Sequence, residues 1–235
     1  MRADHAGRVT PQLLHLARDA LLDALAVISP VECAGCGEPD RSLCAACRRQ
    51  LVLRPTESTL PGGLLVTSAL RYEGAVRRVI LAFKESNRTD VAGALARTLE
   101  GVVREASAGP IDIVPVPTSR SAWRRRGYDP VALICDCAGL RPLRALVQTR
   151  STRSQKTLGA TERASNLAGS MAARRRLTGR KILLVDDVLT TGATLAEAER
   201  AARQAGAEIA GAVTLAFTPR YYGGERKSPV TSDEH

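Results

Sequence analysis

The residues best placed to do chemistry lie in one stretch, Ile182-Leu183-Leu184-Val185-Asp186-Asp187-Val188-Leu189-Thr190-Thr191-Gly192-Ala193-Thr194. An apolar strand runs into two adjacent acids, and a Thr/Gly turn then opens a helix. The first turn of a helix presents unpaired backbone N–H groups, which together with Thr hydroxyls form a cradle for an anion. Two carboxylates immediately upstream accept hydrogen bonds from a diol. A sugar with vicinal hydroxyls and a phosphate on its next carbon satisfies both halves at once. The plainer alternative is an acidic strand end followed by an ordinary capped helix.

A second cluster has the spacing of a metal site. Cys33-Ala34-Gly35-Cys36 and Cys44-Ala45-Ala46-Cys47 are two CxxC turns separated by seven residues. Two such turns bring four thiolates around one ion, and Zn²⁺ takes four sulfurs in a closed tetrahedron when its role is structural. Two disulfides are the alternative in an oxidising compartment, and a redox-active pair lacks the strand–CxxC–helix setting. No His or open ligand position lies nearby, so the expected role is to stabilise a segment too short to bury a core. Cys135 and Cys137 sit beside Leu133 and Ile134 and read as thiols packed in a helix rather than as nucleophiles.

Elements must position these groups. Leu13, Leu14, Ala17, Leu21, Leu25 and Ile28 recur at helical spacing, with Thr10-Pro11 as the start of that helix. The Pro55–Gly63 stretch reads as a link into the main domain. Strands are expected at 64–70, 111–116, 143–148, 181–185 and 209–217. Helices are expected at 74–85, 91–106, 130–138, 161–174 and 194–204. This alternation argues for an α/β fold, a parallel sheet flanked by helices, with ligands at the carboxyl ends of the strands. The expected division is an N-terminal helix (1–30), a four-Cys zinc module (31–60), the sheet domain (61–220) and a flexible tail (221–235).

Length and composition fit this plan. The chain has 235 residues, 44% apolar and 25% charged, close to the globular average, so wholesale disorder and fibrous structure are excluded. Aromatic residues are only 3%, leaving the core to Val, Leu, Ile and Ala. The net charge is +10, and thirty of the 34 basic residues are Arg. Residues 120–180 carry fourteen of them against Asp129, Asp136 and Glu162, which favours an anionic partner: a polyphosphate, a nucleotide or a nucleic acid. A solvated arginine-rich surface is the alternative. No run is long and apolar enough for a membrane span or a secretory signal, and the expected location is the cytoplasm.

The Asp-Asp/Thr-Gly stretch resembles the 5-phosphoribosyl-1-diphosphate (PRPP) loop of type I phosphoribosyltransferases. That resemblance implies that Asp186 and Asp187 hold the ribose hydroxyls. It also implies that Val188 and Thr190, Thr191, Gly192, Ala193 and Thr194 complete the PRPP site by wrapping the 5′-phosphate. Val116, Pro117, Thr118, Ser119 and Arg120 resemble the pyrophosphate loop. Gln155 to Asn166 resembles the mobile loop of these enzymes, with Arg163 as its catalytic residue.

The four-Cys module, Tyr72-Glu73-Gly74 leading to Phe83-Lys84, Arg126-Gly127-Tyr128 and the Gln155…Arg163…Asn166 run together resemble the ComF family of competence-associated proteins, over roughly residues 10–218. The resemblance implies a phosphoribosyltransferase-like fold with a zinc module, Mg²⁺ bound with PRPP, and transfer of phosphoribosyl to an acceptor. It also leaves open a DNA-uptake accessory that binds single-stranded DNA with the competence machinery, and a non-catalytic PRPP or nucleotide sensor. Asp129 and Pro130 stand where the family carries Asn and Gln. Either that motif's recognition is altered, or the pair is a loop–helix entry with Asp129 as cap and Pro130 in the first turn.

Overall fold

The computed structural model describes residues 31–107, 109–149 and 168–219. The helix expected at 10–28, the loop of Gln155 to Asn166 with Arg163, and the tail 221–235 lie outside the described residues. In order, the elements are α1 (Ala45–Gln50), β1 (Thr56–Thr59), β2 (Leu65–Arg71), α2 (Gly74–Glu85), a 3₁₀ turn (Thr89–Val91) and α3 (Ala92–Ala106). Then follow β3 (Asp112–Pro115), α4 (Arg120–Arg126), α5 (Pro130–Cys137), β4 (Leu146–Gln148), β5 (Met171–Ala173), β6 (Lys181–Leu189), α6 (Ala193–Gln204) and β7 (Glu208–Phe217).

The main sheet has the order β1-β2-β7-β6-β3. The ladders β2–β7, β7–β6 and β6–β3 are parallel, and β1 is an antiparallel edge. Strand alternation assigns the two faces. Leu183 and Val185 of β6, Ile113 of β3 and Leu215 of β7 pack with α2, α3 and α5 through Ile80, Phe83, Leu95, Leu99 and Ile134. Ile182 and Leu184 of β6 and Val114 of β3 face the other way, onto Leu195, Ala198 and Ala202 of α6. Aliphatic side chains do nearly all of this, as the aromatic-poor composition requires.

Three expectations are corrected, and one helix is present that none of them covered. The strand expected at 143–148 shortens to Leu146–Gln148 and joins no main sheet; it pairs antiparallel with Met171–Ala173 as a separate ribbon. Met171–Ala173 falls inside the expected helix 161–174. Alanine favours a helix locally, but the ladder to β4 and the bond from Met171 N–H to Glu197 Oε1 (2.8 Å) override that preference. The Pro55–Gly63 link contains β1, closed by Leu60 N–H to Leu64 O at 2.9 Å. Finally, Arg120–Arg126 forms a helix the pattern did not announce, because none of its side chains is buried and so no apolar period marks it.

Candidate functional site

The β6 strand runs on through both acids to Leu189, because β7 stays paired with it: Asp186 lies opposite Thr214 and Leu189 opposite Phe217. Asp186 and Asp187 are thus held rigidly near the carboxyl end of a central strand. Asp186 Oδ1 accepts from the Asp187 N–H at 2.8 Å. Burial, and then the neighbouring Asp187 charge, push the Asp186 carboxyl up to about 7. Asp187 has a different partner: the Lys84 ammonium, at the end of α2, sits 2.7 Å from its Oδ2. Burial alone would lower the Lys84 pKa, but the Asp187 carboxylate more than offsets this and raises it. Two adjacent carboxylates therefore occupy unlike states, one paired with a cation and one held close to neutral pH.

Lys84 is positioned by an interlock between two short stretches. The Tyr128 hydroxyl donates to the carbonyl of Phe83, and the Tyr128 and Phe83 rings meet with centroids 5.5 Å apart at 53°. Arg126 Nη2 donates to Glu85 Oε1 at 2.7 Å. Arg126 is the least exposed of the four arginines between 120 and 126: its side chain is 10% exposed, and its Nε has no hydrogen-bond partner among the described residues. Arg120, Arg124 and Arg125 are exposed. Burial opposes the charge on Glu85, yet the hydrogen bond from Arg126 holds its carboxyl below the ordinary value. The two stretches therefore grip each other, and Lys84 is delivered to Asp187 from the middle of the grip.

The expected pyrophosphate loop begins beside the acids. Val116 N–H donates to Val185 O at 2.8 Å, one residue before Asp186. Ser119 caps α4 by accepting from Ala122 N–H at 3.2 Å. Asp129 caps α5, with Pro130 in its first turn, and Oδ1 accepts from Ala132 N–H at 3.1 Å. Its second oxygen accepts from Thr118 N–H at 3.4 Å, so the Asp129-Pro130 pair is a helix entry that also ties down the loop.

On the other side of the acids, α6 starts at Ala193, one residue earlier than expected, with Gly192 at φ +76° as its N-cap. A side chain at that φ is strained, which explains the glycine. Thr191 Oγ1 accepts from Ala193 N–H at 3.4 Å, and the first helical bond runs from Ala196 N–H to Gly192 O at 2.9 Å. Loop 116–120, Asp186-Asp187 and turn 190–194 thus lie at the carboxyl ends of neighbouring parallel strands β3 and β6. Arg163 falls outside the described residues.

The four cysteines converge separately, around the start of α1. Their sulfurs all lie within 4.8 Å of one another; Cys33, Cys44 and Cys47 are buried and Cys36 is exposed. Cys33 Sγ accepts from Gly35 N–H (3.4 Å) and Cys44 N–H (3.3 Å), and Cys44 Sγ accepts from Cys47 N–H (3.4 Å). Burial pushes the Cys33 thiol up, but these N–H donors bring it down to about 6. A Cβ at Gly35 would lie 2.5 Å from Cys47 Sγ and 3.3 Å from the Ala75 Cβ of α2, so only glycine permits this closure. Four sulfurs in this space can hold one metal ion.

The phosphoribosyl transferase domain family model matches residues 140–235, which include β6 and its acids. The chain is 32% identical over 190 residues to the DNA utilization protein YhgH of Escherichia coli strain K12, covering 70% of this chain and 79% of that one. It is 31% identical over 145 residues to the competence protein F of Haemophilus influenzae, covering 55% and 62%. This chain belongs to the ComF family. Among solved structures, the orotate phosphoribosyltransferase of Mycobacterium tuberculosis H37Rv aligns at 20% identity over 73% of this chain and 81% of that one, with a TM-score of 0.37.

For this ComF chain, sequence reasoning missed two site residues as such, Lys84 and Glu85, noting the Phe83-Lys84 stretch only as a family mark. Arg126 it counted with Arg120, Arg124 and Arg125 as a cation able to meet leaving-group charge, and Arg126 is the least exposed of the four. One signal was available. Only four of the 34 basic residues are Lys, and Lys84 stands at the end of an apolar helix in a chain that otherwise uses Arg.

Proposed function

We propose that this ComF chain binds PRPP with Mg²⁺ and transfers its phosphoribosyl group to a nitrogen acceptor. One observation carries the reading: an adjacent acid pair on a central strand lies between the loop after β3 and the Gly192-capped start of α6. In this reading Asp186 and Asp187 accept hydrogen bonds from the ribose hydroxyls, and Thr190, Thr191, Gly192, Ala193 and Thr194 hold the 5′-phosphate, beside Val188. Val116, Pro117, Thr118, Ser119 and Arg120 hold the diphosphate. The C1–oxygen bond to diphosphate breaks as the acceptor nitrogen bonds to C1, so the protein's task is to fix the sugar and meet negative charge growing on the leaving group. Mg²⁺ bound with the substrate supplies further charge neutralisation there. In this reading Lys84, 2.7 Å from Asp187, and Arg126, whose Nε is unpaired among the described residues, are available to meet that charge. Arg163 enters by family resemblance alone.

In the same reading the four-cysteine cluster holds structural Zn²⁺, and the chain works in the cytoplasm, where the thiolates stay reduced. Among the described residues, no helix is long and apolar enough to cross a membrane.

Thermal unfolding with and without Mg·PRPP tests the site. Ligand at a hundredfold Kd adds about 2.7 kcal/mol, and the Asp186→Asn/Asp187→Asn double variant should lose that shift. No shift in metal-replete wild-type protein refutes the reading. A shift without diphosphate release over a panel of amine and base acceptors would instead favour a sensor.

A second reading rests on a separate observation. Trp123 is 54% exposed on α4 and is flanked by the exposed Arg120, Arg124 and Arg125, an aromatic face among phosphate-seeking cations. Relatives bear the names DNA utilization protein and competence protein. Single-stranded DNA bound there should dissociate steeply as salt rises and should be lost in Trp123→Ala; a flat salt response disposes of it.

A further inference from the structure

A second basic surface lies away from β6, on the cysteine module, and neither reading above uses it. Residues 41–56 contain Arg41, Arg48, Arg49 and Arg54 and no acid. Arg41, Leu43, Ala45, Arg48, Arg49 and Val52 line a concavity of about 490 Å³. A second concavity of about 260 Å³ shares Arg48 and Val52 and continues past Leu53 to Ala94 and Arg97 of α3. None of Arg41, Arg48, Arg49 and Arg97 makes an ion pair among the described residues, whereas Arg88, Arg104, Arg180, Arg200 and Arg203 elsewhere each hold an acid. Val52, at 57% exposure, is the most exposed large apolar side chain described, and it sits where the two concavities join.

We propose that this groove docks an acidic, amphipathic segment of a partner protein, its carboxylates meeting the arginines and its aliphatic side chains covering Val52. The lining chemistry selects this class. The floor is aliphatic (Leu43, Ala45, Val52, Leu53, Ala94), and no aromatic ring lines either concavity, so the stacking platform that holds unpaired bases is missing. A phosphodiester backbone would satisfy the arginines but leave Val52 in water. A segment mixing Asp or Glu with Leu or Ile satisfies both, as amphipathic helices do in apolar grooves. Four arginines without counter-charge among the described residues also favour fast, steered capture of an acidic partner.

The test places a photo-crosslinking amino acid at Val52 of the full-length protein in its native cells and maps the crosslinked peptide by mass spectrometry. The expected result is one net-acidic, aliphatic-containing segment of a different protein. Its yield should fall at least tenfold in the Arg48→Glu/Arg49→Glu variant and recover when acids of the mapped segment are changed to Lys. The variant must keep its bound metal and its unfolding temperature, so that loss of crosslinking is not loss of fold. Crosslinks to residues 1–30 of the same chain would overturn the proposal, and that occupant has access: Arg41 N–H donates to Val31 O at 3.0 Å, so residue 31 borders the groove. Crosslinks to nucleic acid, crosslinks scattered without a dominant segment, or a yield indifferent to charge reversal would overturn it equally. The result is independent of whether the β6 site binds PRPP.

Discussion

Replacing Asp186 by Asn should stabilise the free protein at pH 8 and leave it unchanged at pH 4. In the folded chain the Asp186 carboxyl is pushed from its ordinary 3.8 up to about 7, first by burial and then by the Asp187 charge. The folded state therefore holds this proton more tightly than the unfolded chain does. Stability from this group is fully present below about pH 4 and is lost as pH rises toward 7. The gap of about three pH units, at about 1.4 kcal/mol each, sets a ceiling of about 4 kcal/mol of strain in the ionised protein. Water reaching the half-buried carboxyl and relaxation around it reduce the expected value to about 2–3 kcal/mol.

Asn is the right probe because its oxygen can still accept from the Asp187 N–H, now at 2.8 Å, while carrying no charge. For a chain of this size the gain corresponds to an unfolding temperature higher by about 4–12 °C at pH 8. The assay is thermal unfolding of wild type and Asp186→Asn at half-unit steps from pH 4 to 8.5, without ligand. The difference should open progressively between pH 4 and 7. A constant difference across that range, or a less stable variant at pH 8, would refute the assignment of the raised proton affinity to Asp186. The same variant should lose Mg·PRPP binding. A carboxylate that is costly when the site is empty and useful when it is filled is the expected signature of a binding group rather than of a structural one.

Three further outcomes follow from the same contacts. Lys84→Met leaves Asp187 without its cation and adds to the burden on Asp186, so stability in urea should fall by about 1–3 kcal/mol at pH 8, with a smaller loss at pH 5. Tyr128→Phe keeps the ring contact but removes the donor to Phe83 O, and should cost about 1 kcal/mol in the same assay. Gly35→Ala drives a methyl group into Cys47, and should cost about 1–3 kcal/mol and lower the metal content measured by mass spectrometry; a chelator should mimic the loss of stability in wild type.

What the sequence made legible follows where short-range physics governs. The two CxxC turns and the helix at 74–85 are fixed by spacing and apolar period and are found as expected, whereas the strand expected to end at Val185 continues through both acids to Leu189. The β4–β5 ribbon is decided by pairing across some twenty intervening residues and by Glu197, neither visible in a local pattern. Helix α4 buries none of its side chains and leaves no apolar period to read. The acids of β6 were legible as a pair, but their difference was not. It arises because Asp187 meets a lysine about a hundred positions earlier in the chain, and Asp186 does not.

That lysine also gives the cysteine module a reason to be present. The first turns of α2 carry the module: Ala75 packs against the Gly35 turn, and the Arg78 side chain donates to the Gly35 carbonyl. The last turn of the same helix carries Lys84 to Asp187 and is gripped by Arg126 and Tyr128. A helix of twelve residues is about 18 Å long and stiff, so a shift at one end is felt at the other. If the cluster holds its proposed metal ion, loss of that ion should free four sulfurs, loosen the support under Ala75 and Arg78, and displace Lys84 without touching either acid. Chelation should therefore weaken PRPP binding in wild type and have a smaller effect on binding in Lys84→Met, where the helix no longer delivers a charge. If the two proteins lose affinity equally on chelation, the module stabilises the fold at large, and α2 is not the link between the metal cluster and the sugar site.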